Sequence, residues 1–375
     1  AAVEYGEAET QDSLTFQLVD GRSIRWGSAE DAGLATGFVS TARITHATPA
    51  ATFAKTVDRD WEADVNLSAA ASAGGCTDIA RQFVEWSHGD GFEIAMGGGR
   101  ANFLPAAEAD PEYAQRTGVR GDGRNLIEEW TGAREDRVFM SNLSELQAHD
   151  FSTDAKVLAL FVPSHMQYEA DRNAGPDGEP SLAEMTRAAI TRLSQDEEGY
   201  VLMVEAGRID HAHHAGNAAR ALGDLVAMDD AIAAAQEMTN GEDTLIIVTA
   251  DHSHTLVIQG YPGRNNPILG FVLYPGLGEP AKAADGKPYT TLAYANGPGA
   301  ICINSEGPCE RQDLQGEDPE ALDFIQQATV PFASETHAGE DVALFASGPG
   351  ANLFSGTIEQ HEIFHVMAQS LGLVE

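Results

Sequence analysis

The chain of 375 residues carries 22 Lys and Arg against 58 Asp and Glu, a formal charge of −36. With 43% apolar residues it can bury a large core, so the acid excess does not mark a disordered acidic tail. Nucleic acids and anionic membranes recruit clustered Lys and Arg to displace counterions, and a surface this acidic excludes them as partners.

Only four of the cations are lysines: Lys55, Lys156, Lys282 and Lys287. An acidic, Lys-poor surface suits high salt, where the Debye length shrinks to roughly 3 Å at 1 M, and the chain is read as halophilic. Thermal unfolding is therefore expected to move to higher temperature as NaCl rises from about 0.1 M, because screening relieves carboxylate repulsion in the compact state. A flat or falling trend contradicts that reading. No run of about 18 apolar residues occurs, so no membrane-spanning helix is expected. The opening AAVEYGEAET has neither the basic nor the apolar region of a signal peptide. Of three cysteines, Cys302 and Cys309 could close a small ring, which leaves Cys76 free, buried or paired outside this chain.

In chain order, residues 37–40 read as a strand end, 76–87 as a helix and 92–96 as a strand stopped by Gly97, Gly98 and Gly99. Residues 156–162 form a β-rich run, 182–193 a helix and 200–204 a buried strand. An Ala-rich helix over 216–238 leads to a strand at 244–249. Strands alternating with helices predict an α/β fold, a parallel-rich sheet sandwiched by helices, whose functional residues sit beyond the strands' C-terminal ends. From 255 to 330 Gly, Pro and Asn become frequent and the strands short, before a core strand at 342–346 and a helix at 359–371. The expected organisation is a core over 1–254, an irregular insertion over 255–330 and a return to the core over 331–375.

Chemistry concentrates at two strand ends. In VEAGRIDHAHH (204–214) Glu205 stands at a strand terminus, and Asp210 and His214 share a helix face if that turn is helical. Oxygen and nitrogen ligands at that spacing suit zinc, whereas His211 and His213 alone fit a solvated loop equally well. In LIIVTADHSH (245–254) a buried run delivers Asp251 and His252, apt zinc ligands, with a helix-capping Asp as the alternative. Weaker signals are His46 and Thr48 in STARITHATP, where a turn is the default and a Thr hydroxyl an occasional magnesium ligand, and His337 in SETHAGEDVALF.

Together with DRDW, GGGR, PSLAEMTRAAI, GYPGR and NGPG, these blocks in this order resemble the alkaline phosphatase family, especially its animal-type branch, from about Gly33 to Leu373. The resemblance implies two Zn²⁺ and one Mg²⁺. Asp210, His214 and His337 would hold the first zinc, Asp251 and His252 the second, and Thr48 and Glu205 the magnesium. His46 would touch the magnesium shell through water, Arg59 would grip two phosphate oxygens, and His211 would lie near the phosphate. It further implies phosphate monoesters as substrates, inorganic phosphate as a ligand, a phosphoserine intermediate, a homodimer with residues 255–330 as a crown at its interface, and a periplasmic or extracellular location. The wider superfamily of sulfatases, phosphodiesterases and metal-dependent mutases generally lacks the magnesium site that Thr48 and Glu205 would make.

The departures are specific. The family's N-terminal strand with an Asp bridging zinc and magnesium, and its Asp-Ser-Ala segment with the nucleophilic serine, have no counterpart; Asp12-Ser13-Leu14 fits neither in neighbours nor in order. The expectation is a longer chain before Ala1 that supplies both, and in these residues a sheet with one core strand wanting. Cys76 resembles a cysteine whose partner lies in that upstream part. Val162 stands where the animal branch has a calcium-binding Glu, so the resemblance to that branch's calcium site is eroded and leaves open whether the site survives. The alternative to an enzyme is a non-catalytic or truncated halophilic metal-binding protein of the same fold.

Overall fold

The computed structural model describes residues 16–17, 23–24, 26–276, 278–300 and 311–373; Cys302 and Cys309 lie outside them. Phe16–Gln17 (β1) and Ser23–Ile24 (β2) form a short antiparallel ladder. The core is a five-stranded parallel sheet of Ala35–Arg43 (β3), Ile94–Gly98 (β4), Arg137–Met140 (β5), Lys156–Leu160 (β6) and Tyr200–Glu205 (β7), in the order β5-β6-β4-β3-β7.

Both faces of this sheet are covered, and the alternation along each strand shows how. Phe38, Ala95, Leu158 and Leu160 point into one core with Phe53, Phe83, Phe92, Phe103 and Trp130. Val39, Ile94, Met96, Val157 and Ala159 point into the other, against Met185, Ala189 and Leu193 of the helix Leu182–Leu193. Successive side chains of a strand face opposite ways, so a strand buried on both sides reads as a continuous apolar run. The first core is largely aromatic: Phe92 lies edge-on to Phe38 at 5.1 Å and stacks on Trp86 at 4.1 Å. The helix Leu182–Leu193 starts at a capping box in which Ser181 and Glu184 each satisfy the other's backbone amide.

Boundaries differ from the sequence reading where local chemistry overrides periodicity. The helix expected over 76–87 shortens to Ile79–Val84, because the Asp78 side chain accepts from Arg81 N–H and fixes the start there. The helix of 216–238 begins at Ala218, capped by Asn217. The helix Leu126–Gly132 and β5 were not anticipated.

A larger correction concerns the strand at 244–249. It forms Ile246–Val248 (β8), and its register partners all lie on Phe345–Ser347 (β14), antiparallel, in a ladder separate from the parallel sheet. A strand joins a sheet only through a neighbour about 4.8 Å away, and β8 pairs with β14 rather than with β7. Among the described residues β7 pairs with β3 on one side and with no strand on the other. The strand expected at 342–346 is this β14, and its Phe345 is 68% exposed rather than core. Ser253–His254 (β9) pairs with His337–Ala338 (β13). Leu256–Ile258 (β10), Leu292–Gly297 (β11) and Ala328–Pro331 (β12) make a three-stranded sheet within the irregular stretch.

The sheet's N-terminal end holds a buried polar knot. Thr36 O–H donates to Glu30, Thr36 N–H donates to Glu93 at 2.6 Å, and Lys156 donates to Glu93 at 2.6 Å. Burial, and then the Glu93 carboxylate, push the Glu30 carboxyl well above its ordinary 4.5. The folded state then holds a proton that the unfolded state has released, so stability falls as pH rises from about 4.5 through neutrality. Glu30→Gln, which keeps the acceptor without the charge, is expected to flatten that fall in denaturant unfolding measured from pH 5 to 9. A variant as pH-sensitive as its parent would place the charge burden elsewhere.

Candidate metal centre

The C-terminal ends of β3, β7 and β8 deliver Arg43, Glu205 and the segment at Asp251 to one side of the molecule. After β7 the chain turns at once into the helix Arg208–His214, whose geometry puts Asp210 and His214 on one face with Asp210 Oδ1 3.3 Å from His214 Nε2. The β9–β13 ladder sets His254 directly opposite His337. The same Asp210 Oδ1 lies 2.9 Å from His254 Nε2 and 3.3 Å from His337 Nε2. His337 Nε2 is also 3.1 Å from His214 Nε2, and His252 stacks on His337 at 3.5 Å between ring centroids.

Ligand atoms of Asp210, His252, His254 and His337 thus lie within 4.8 Å of one another. The two predicted zinc sets interleave: His252 Nε2 is 3.3 Å from Asp251 and 4.0 Å from Asp210. Burial works against ionising Asp210, yet hydrogen bonds with His214 and His254 hold its carboxyl far below the usual range. His254 is pushed up to about 9: burial opposes this, and its bonds to Asp210 and Glu335 outweigh it. Imidazole nitrogens converging on a shared carboxylate oxygen are a donor set that fits zinc.

The predicted magnesium ligands are also neighbours. Ser40 O–H donates to Glu205, and Thr48 hydrogen-bonds the same carboxylate. Burial, with the charges of Asp251 and Asp210 adding to it, pushes Glu205 up to about 7 despite those hydroxyls. A buried carboxylate bonded by two hydroxyl oxygens is an oxygen-only donor set of the kind a hard cation takes.

On the other flank Arg59 Nη2 is 3.1 Å from His46 Nε2, and Arg208 Nη1 is 2.9 Å from His211 Nδ1. Burial first, then neighbouring arginines, push His46 and His211 down to about 3. His165 joins them, with its ring 5.1 Å from that of His46 and 4.2 Å from that of His211.

Sequence reasoning missed His254, Glu335 and His165. The first two had a signal: each lies two residues from a chosen histidine, on the same side of an extended chain. Glu335 has a fully buried side chain that accepts from Thr255 and lies 2.7 Å from His254 Nδ1. His165 had only its position beyond the end of β6. It is set by glycine: a Cβ on Gly98 would stand 2.0 Å from Ser164 O, so only glycine lets that loop close over β4.

The alkaline phosphatase family profile matches residues 23–373. The Gadus morhua alkaline phosphatase is 41% identical over 350 residues, 92% of this chain and 70% of that protein. The Gallus gallus tissue-nonspecific isozyme is 41% identical over 351 residues, and the chain spans 64% of its length. Among solved structures, Thermus thermophilus alkaline phosphatase superposes with a TM-score of 0.61 at 26% identity, covering 96% of this chain and 76% of that one. The enzyme of the Antarctic bacterium TAB5 gives 0.58 at 20% identity, over 96% of this chain and 79% of that one, a likeness of fold. On the extent and identity of these matches, the chain belongs to the alkaline phosphatase family.

Proposed function

We propose that these residues form the metal-binding core of a phosphate monoester hydrolase that works with two zinc ions, one magnesium ion and a phosphoserine intermediate. The observation that carries this is the convergence of four imidazoles on Asp210, with Glu205 and Arg59 on either flank. Asp210, His214 and His337 would hold one zinc, Asp251 and His252 the second, and Thr48 and Glu205 the magnesium. When bound, such ions supply positive charge for a transferring phosphoryl group and polarise its oxygens. The chain's own part is to orient. Arg59 presents a planar fork to two nonbridging oxygens, His46 holds that fork, and His211 stands beside it. The phosphoserine route needs a nucleophilic serine and a bridging aspartate, and turnover is proposed for a protein that provides both.

Arg59→Lys is the direct test. The charge remains but the fork is lost, so inorganic phosphate is expected to bind about tenfold more weakly by calorimetry, some 1.4 kcal/mol. Unchanged affinity would remove Arg59 from the clamp. Assay of the purified chain on p-nitrophenyl phosphate with Zn²⁺ and Mg²⁺ separates an enzyme from a non-catalytic metal binder.

Residues 255–330 would form a crown at a homodimer interface. Val257, Ile258 and Tyr261 support this, being 42%, 75% and 83% exposed, since a monomer seldom leaves such a patch in water. Sedimentation of Ile258→Asp decides it: a variant as dimeric as its parent places the interface elsewhere. A periplasmic or extracellular location and a halophilic habit remain part of the same proposal. No described helix is long and apolar enough to cross a membrane.

A further inference from the structure

The three rings of His46, His165 and His211 form a triangle, with centroids 5.1, 5.4 and 4.2 Å apart, and each faces a guanidinium. Arg59 faces His46 at 3.1 Å, Arg208 faces His211 at 2.9 Å, and Arg43 Nη1 faces His165 Nε2 at 2.5 Å. Arginine only donates, and a neutral imidazole has one accepting and one donating nitrogen. Because His46 Nε2 accepts from Arg59, its Nδ1 carries hydrogen, and that atom is buried without a hydrogen-bond partner among the described residues. Arg208 Nε is buried and unpartnered in the same way. Arg43 aims donors at both nitrogens of His165, its backbone N–H at Nδ1 (3.2 Å) and its Nη1 at Nε2 (2.5 Å), and a neutral imidazole accepts only one of them, so one donor is opposed by another.

The cluster therefore has more donors than acceptors. The carboxylate of Glu62 is already taken by Arg43, at 2.8 and 2.6 Å. Asp210 belongs to the histidines of the metal centre. Nitrogens of His46, His165 and His211 lie within 4.8 Å of one another, but a cation there would have to displace the arginines that face them, and it would leave the surplus donors unmet. An anionic oxygen satisfies the surplus donors and the charge together.

Resting on the phosphatase reading, in which Arg59 takes the transferring phosphoryl group, we propose that His165, Arg43, Arg208 and His211 form a second anion subsite. The preferred substrates are then phosphate monoesters whose alcohol carries a second phosphoryl or carboxylate group.

The test compares methylphosphonate, which has one anionic group, with phosphonoacetate and methylenediphosphonate, which have two. Calorimetric titrations of the purified protein at fixed ionic strength give the affinity ratio. One charge-assisted hydrogen bond predicts that at least one two-headed probe binds about tenfold tighter than methylphosphonate. Which one gains identifies the second group. His165→Leu, with folding checked by circular dichroism, should cut the advantage to about twofold or less, and His165→Asn, which restores an N–H donor, should recover part of it. Equal binding of all three probes, or an advantage that survives His165→Leu, overturns the subsite and leaves the Arg59 clamp standing. Failure of every probe, with inorganic phosphate also unbound, overturns both.

Discussion

Asp210→Ala is expected to weaken zinc binding by more than a hundredfold and to lower bound zinc by at least one ion per chain. The reason is the crowding around a single atom: Asp210 Oδ1 lies within 3.3 Å of His214, His254 and His337 nitrogens, so one truncation removes a ligand and the common partner of three others. Glu335→Gln is the informative contrast. Its carboxylate lies 2.7 Å from His254 Nδ1, and His254 in turn holds the proposed zinc ligand Asp210, so Glu335 acts one partner further out than His254 and its loss should cost about tenfold, the low end for outer partners of a metal site. Competition against a chromophoric chelator measures both. An Asp210→Ala protein with parental zinc content and affinity would dissolve the proposed centre, and equal losses in the two variants would mean that Asp210 only orients.

Much of this centre was legible because strand ends announce themselves. An apolar run that ends in an acid marks a strand end: Glu205 closes β7 at the mouth of the parallel sheet, and Asp251 and His252 follow β8, whose ladder with β14 lies apart from that sheet. The helix Leu182–Leu193 was legible to the residue because a capping box and a 3.6-residue period agree there. What escaped depends on long-range pairing. The opposition of His254 and His337 exists only through the β9–β13 ladder, which joins segments far apart in the chain. His165 depends on a loop closing over Gly98, a contact no periodicity encodes. The misplacement of β8 has the same origin: an apolar run predicts a strand, while its neighbour is chosen by the rest of the fold.

Arg100→Met is expected to cost about 3–5 kcal/mol, a fall in Tm of roughly 4–6 °C at about 2.1 cal/mol/K of unfolding entropy per residue. The Arg100 side chain is wholly buried and grips Asp110 with two bonds, at 2.8 and 2.7 Å, while donating to Leu160 O at 2.7 Å. It therefore ties the turn after GGGR and the loop at Asp110 to the end of β6. Methionine replaces the guanidinium volume but leaves a carboxylate that is 1% exposed without its counterion, and that is the costly species. The double variant Arg100→Met/Asp110→Leu should recover only part of the loss: it removes the buried unpaired carboxylate, but the Glu112 and Tyr113 backbone N–H groups that Asp110 accepts lose their partner. Salt separates this effect from the surface charges: screening acts on solvated carboxylates and hardly on a buried pair, so the Arg100→Met deficit should persist in molar NaCl while both proteins shift upward together. A deficit that disappears in high salt would show that Asp110 is reached by solvent, and that the arginine was balancing the surface rather than joining the loop to the sheet.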